Sequence, residues 1–143
     1  MSTADDKLAI LEVMTSYFFA LDALSDPVAL MSHYAPDAVW ECYNYGEKEP
    51  SLRFDSLEQL EMMVAMESAN PNPQLLRHHP SGTLFRELTA TTAVTRTKVL
   101  VTAQHLEDPA PRVRNTATCE GRWSKLEQGW KLSRWTIFRD PAA

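Results

Sequence analysis

The chain has 143 residues, of which 44% are hydrophobic and 23% charged, and carries a formal net charge of −5. These are ordinary globular values, so we expect one cored domain over residues 1–143, with no case for disorder, collagen or repeats. The acidic balance opposes phosphate backbones and anionic lipid, which sets nucleic acid and membranes aside as partners. The first residues lack a basic-then-apolar leader and no apolar run approaches the ~20 residues that cross a bilayer, so the expectation is a soluble cytoplasmic protein.

From Ala4 to about Asp22, Leu8, Leu11, Met14, Phe18 and Leu21 recur at three and four, the stripe of an amphipathic helix. Asp22 then falls at the helix C-terminus, where the dipole disfavours a carboxylate, and some other interaction is needed to hold it. Ser25-Asp26-Pro27 offers a cap and a first-turn proline for a short helix through Tyr34, ended by Ala35-Pro36. Val39 to Tyr45, closing at Gly46, reads as a strand, with Ser51 to Phe54 as its returning partner. Ser56-Leu57-Glu58-Gln59 has capping-box spacing and opens a helix that stops before Asn70-Pro71-Asn72-Pro73.

Everything after Gln74 reads as strand, over about residues 75–87, 92–106, 112–126 and 129–139. Four long neighbours with short connections favour an antiparallel meander. Helices first and strands last give an α+β class: a cone-shaped, curved, mixed or antiparallel sheet wrapped around N-terminal helices and enclosing a pocket.

The chemistry-bearing candidates are few. Cys42 and Cys119 form no CxxC and sit in strands, so they read as reduced, packed thiols. Four glycines leave no room for a dinucleotide fingerprint. His78, His105, Asp22 and Glu41 are metal-ligating types, but no HxH, HExxH or CxxC spacing supports a metal site, and neither metal nor cofactor is expected. Arg96, Lys98, Arg122 and Arg134 lie in strand interiors, where they pair on the outer face or, for Arg134, reach a substrate oxygen.

Asp22 and His78 lie more than fifty residues apart. If the fold joins them, a carboxylate on one ring nitrogen fixes the tautomer and raises the basicity of the other, which is what proton abstraction requires. Each alone has a plain structural reading, Asp22 as a helix terminator and His78 as a hydrogen-bonded strand residue. His79 points to the opposite face from His78, and alternation does not say which one lines a cavity.

Tyr17-Phe18-x-x-Leu21-Asp22, Tyr34-Ala35-Pro36-Asp37-Ala38-Val39-Trp40, a histidine opening a strand and a closing Gly129-Trp130-Lys131-Leu132 resemble the SnoaL-like branch of the nuclear-transport-factor-2-like superfamily. Within it the chain is similar to the scytalone dehydratase, bile-acid 7α-dehydratase and dehydrochlorinase types. The resemblance implies a lyase working without a cofactor on a cyclic, largely apolar small molecule, with His78 as general base, Asp22 orienting it and Tyr17 assisting the leaving group. It places Tyr43, His105 and Glu120 at the substrate pocket, with His105 and Tyr43 one position from their counterparts and Glu120 where scytalone dehydratase has asparagine; Trp40, as an aromatic, and Arg134, as a strand cation, are further pocket candidates from the residues themselves. Homodimers or homotrimers are implied. An isomerase or cyclase using the same residues, and a non-catalytic ligand-binding or assembly domain, remain open.

Overall fold

A computed structural model describes residues 3–23 and 26–142. Helix α1 (Thr3–Ala23) is followed by the short α2 (Pro27–Met31), β1 (Tyr34–Tyr43), β2 (Leu52–Phe54), α3 (Leu57–Ser68), β3 (Leu75–Leu88), β4 (Thr92–Gln104), β5 (Arg112–Leu126) and β6 (Gly129–Arg139). One six-stranded sheet runs in the order β2-β1-β6-β5-β4-β3, curved and unclosed. Strands β3 to β6 form the expected antiparallel meander, and the sheet is mixed because β1 lies parallel to β6.

The helices cover one face of this sheet. Helix α1 buries Asp6, Ile10, Met14, Tyr17 and Phe18, a face rotated from the expected stripe, since Leu8 is exposed. Asp6 ties the start of α1 to the far hairpin, accepting from Lys125 Nζ at 2.9 Å and Trp130 Nε1 at 3.0 Å. Around α1 the core gathers Leu60 and Val64 of α3 with Val99, Cys119, Trp123, Leu132 and Trp135 of the sheet. Gly121 is required where it stands: a Cβ there would lie 2.7 Å from Trp123 Nε1, the atom that donates to Thr95 Oγ1. Cys42 and Cys119 are free and buried, and burial pushes the Cys119 thiol up to about 12.

Three local departures have physical causes. The second helix ends at Met31 rather than Tyr34, with Asp26 as its cap, while Ser25 lies outside the described residues. Ala35-Pro36 is therefore inside β1, in a stretch where the pairing jumps from Tyr34↔Leu132 to Val39↔Arg134, so the missing proline N–H breaks no ladder. At α3, Ser56 accepts from Gln59 N as a cap should, but Gln59 Oε1 returns to the N–H of Asp55 instead of Ser56. No helix among the described residues is long and apolar enough to cross a membrane.

Candidate active site

The concave face of the sheet and the two long helices enclose a cavity of about 230 Å³. Its walls are mostly apolar: Phe18, Leu21, Leu30, Leu60, Val99 and Trp135 among others. The polar groups reaching it are Tyr17, Tyr34, Trp40, Glu67, His78, Arg114, Asn115 and Arg139. An engineered cavity of ~150 Å³ holds benzene, so this one has room for a small ring system.

His78 is the histidine on the inner wall. Its Nδ1 lies 2.6 Å from Asp22 Oδ1, and its backbone N–H donates to the same carboxylate at 3.1 Å. These contacts are what hold a carboxylate at the dipole-disfavoured end of α1. A carboxylate only accepts, so Nδ1 carries a proton, and in the neutral tautomer that this selects Nε2 is an acceptor. Nε2 has no hydrogen-bond partner among the described residues, and the ring lines the cavity while Asp22 stands behind it. Phe18 stacks on the imidazole at 5.6 Å between centroids, tilted by 22°, and Phe18 is itself braced edge-on by Trp135. His79 turns to the opposite face, with Nε2 at 3.0 Å from Thr102 Oγ1.

Tyr17 is fully buried and comes from the same helix as Asp22. An ideal helix turns about 140° over five residues, so the two do not share a face. Asp22 holds the imidazole of His78, and that imidazole and Tyr17 both line the cavity. Tyr34 Oη donates to Tyr17 Oη at 2.8 Å, which leaves the Tyr17 proton without a partner among the described residues. Burial pushes the Tyr17 phenol well above the usual tyrosine range, against hydrogen bonding from Tyr34 and Trp40 that lowers it. A phenol so placed stays neutral and acts as a hydrogen-bond donor.

Asn115 completes the inner row. In register, His78 faces Val101 and Val101 faces Asn115, so the imidazole and the amide share one sheet face two strands apart, about 10 Å.

Of the five other sequence candidates one lines the cavity and four fall elsewhere. Trp40 lines the cavity. His105 sits just past β4 in an adjoining recess of about 490 Å³ with Asp22 and Gln74, its Nε2 3.0 Å from the Gln74 amide. Tyr43 stacks on Phe138 at 5.3 Å, away from the cavity. Glu120 faces outward between the buried Cys119 and Gly121 and pairs with Arg122 at 3.3 Å. Arg134 is also an outer-face residue, held 3.0 Å from Glu41 Oε1. Glu41, which also accepts from Arg53 and Thr136, is thus far from the histidines, and no cluster of three metal-ligating types exists among the described residues.

Sequence reading missed Tyr34, Arg114, Asn115 and Arg139. Tyr34 was assigned to a helix end. Arg139 was findable: with Trp135 and Ile137 it continues a period-two row of cavity-lining positions.

No curated protein matches the chain. Solved structures do, at low identity and therefore as a likeness of fold. A cystatin-like protein of unknown function from Nostoc punctiforme is 21% identical with a TM-score of 0.76, covering 98% of this chain and 95% of its own. A proposed scytalone dehydratase from Novosphingobium aromaticivorans is 17% identical with a TM-score of 0.77, over 97% and 89%. The beta subunit of the benzoate 1,2-dioxygenase from Burkholderia mallei is 12% identical with a TM-score of 0.78, over 98% and 91%. The pattern of the SnoaL-like domain matches residues 2–136, almost the full length, and the chain belongs to that family.

Proposed function

We propose that this protein is a lyase of the dehydratase type, acting on a cyclic, largely apolar small molecule that carries a carbonyl next to the reacting carbon. The observation behind it is a cavity-lining His78 whose Nδ1 is held by Asp22 and whose Nε2 has no partner among the described residues. In the proposed step Nε2 takes a proton from the carbon beside the carbonyl. The electron pair left behind becomes a C=C bond as the C–O bond to a neighbouring hydroxyl breaks. The departing oxygen takes up the proton and leaves as water. Asp22 stabilises the imidazolium formed on the way, and Tyr17, kept neutral by burial, donates a hydrogen bond to a substrate oxygen. General-base assistance of this kind contributes ~100-fold to 10,000-fold. Isomerisation by the same proton shuttle differs only in where the proton returns.

A non-catalytic role has one observation in its favour: the same fold forms a dioxygenase beta subunit. Screening small cyclic β-hydroxy ketones for water loss by ultraviolet absorbance separates the readings. Turnover that disappears in His78→Gln, with ligand binding and melting temperature retained, supports the lyase. Turnover unchanged in His78→Gln, or ligand binding with no turnover of any substrate, contradicts it. We infer further that the chain is cytoplasmic and forms a homodimer or homotrimer through an exposed sheet face, which light scattering would read directly.

A further inference from the structure

We propose that the open end of the cavity recognises an anionic group on the ligand through Arg114 and Arg139, so that the ligand is a one- or two-ring apolar body bearing a carboxylate. This rests on reading the cavity as the substrate site and adds the class of substrate.

Two independent features of the sheet bring these arginines there. On β5, alternation alone would send Arg114 to the face opposite Asn115. However, the β4 pairing steps from Val101↔Asn115 directly to Thr102↔Val113, leaving Arg114 as the extra residue of a bulge. A bulge re-aims its side chain, and Arg114 joins Asn115 in lining the cavity. On β6, Arg139 pairs with the inward Ala117 and ends the row of Trp135 and Ile137, on the same concave face.

Among the described residues neither of these guanidiniums has a carboxylate within ion-pair distance, a state that Arg77, Arg86 and Arg96 share without lining the cavity. Arg53, Arg112, Arg122 and Arg134 each have one. Among the described residues Arg139 Nη1 reaches only Asn44 Oδ1, at 3.4 Å. Glu67 is the single acidic residue among the described lining residues, against two guanidiniums. A guanidinium fork matches a carboxylate bidentately, and the apolar wall beside it strengthens the attraction. Arg114 neighbours Asn115, and so lies about two strand spacings, ~10 Å, from His78. A ring bound between them would present its reacting carbon to the imidazole and its anionic group to the arginines.

The test is binding, which needs no turnover. We would titrate the full-length protein with 1-naphthoate and with the neutral 1-naphthalenemethanol, using wild type, Arg114→Gln, Arg139→Gln, the double variant and His78→Gln. The proposal expects naphthoate to bind wild type about 10-fold tighter or more, the preference to shrink in each single variant and vanish in the double variant, and added salt to weaken it. Both arginines are exposed, so these variants should fold. Equal or weaker binding of naphthoate to wild type, or a preference that survives in the double variant, would overturn it. His78→Gln should keep the preference. Loss of the lyase reading would show in turnover of His78→Gln, whereas loss of this inference would show only in the arginine series.

Discussion

Asp22 and Glu41 are both carboxylates drawn back from water, with side chains 16% and 4% exposed, and they differ in what surrounds them. Glu41 sits on the outer face with both oxygens occupied: Oε1 accepts from Arg134 and Thr136, Oε2 from Arg53. Burial alone would raise its carboxyl, but those hydrogen bonds and the two guanidinium charges outweigh it and hold the group below the usual glutamate range. Asp22 instead accepts, among the described residues, from His78 alone, whose ring lines a cavity. The Glu41 cluster is closed and has nothing left to offer a ligand. The Asp22 cluster passes its polarisation to an atom that is still unpartnered. A buried ionised group in itself marks neither structure nor chemistry; the unfilled valence at the end of its hydrogen-bond chain separates the two.

The sharpest break between the clusters is kinetic. His78→Gln should lower kcat by ~100-fold to 10,000-fold with little change in melting temperature. Asp22→Asn should cost less, because the ring keeps its place against Phe18 while losing its charge partner. At the other carboxylate the expectation inverts. Glu41→Ala should destabilise by about 2 kcal/mol, below the 3–5 of a fully enclosed pair because both arginines reach solvent, and leave kcat unchanged; denaturant melts and a rate assay check both.

The pH dependence follows from the direction of the Glu41 shift. A carboxyl held low in the folded state gives stability that is present above its unfolded pKa of about 4.3 and lost as pH falls through the folded value. Acid unfolding of Glu41→Gln should therefore lack part of the steep loss that wild type shows below about pH 4. Equal acid profiles would remove Glu41 from the account.

Tyr17→Phe lies between the two behaviours. It removes the proposed donor and strands the buried Tyr34 hydroxyl, so kcat should fall about 10-fold and stability by about 1 kcal/mol. Because burial raises the Tyr17 phenol, wild type should show no alkaline loss of rate from this residue up to about pH 10. The smallest effect expected is that of Glu120→Gln, within about 0.5 kcal/mol and without change in rate, because its Arg122 pair is an exposed one.

Much of the architecture was legible because its signals are local. The four strands from Leu75 onward are bounded by Thr89-Ala90-Thr91, Asp108-Pro109 and Gln128-Gly129, and their ends fall within two residues of expectation. Facing within a strand follows from alternation only once one member is anchored. Alternation alone does not separate His78 from His79; Asp22 on α1 fixes which one turns inward. Glu120, a candidate by position in a family, and Arg134, a candidate as a strand-interior cation, both land on the outer face. Arg114 was beyond reach, since its facing depends on a one-residue bulge set by pairing with β4 rather than by its own neighbours in sequence.

The central claim is that Asp22 fixes the His78 tautomer so that Nε2 is the bare nitrogen turned to the cavity. Long-range ¹⁵N–¹H NMR of the imidazole at neutral pH tests it without any substrate. We expect a protonated Nδ1 and an unprotonated Nε2 in wild type, with that preference lost in Asp22→Asn. A proton found on Nε2 with Nδ1 bare, or a tautomer indifferent to Asp22→Asn, would contradict the account.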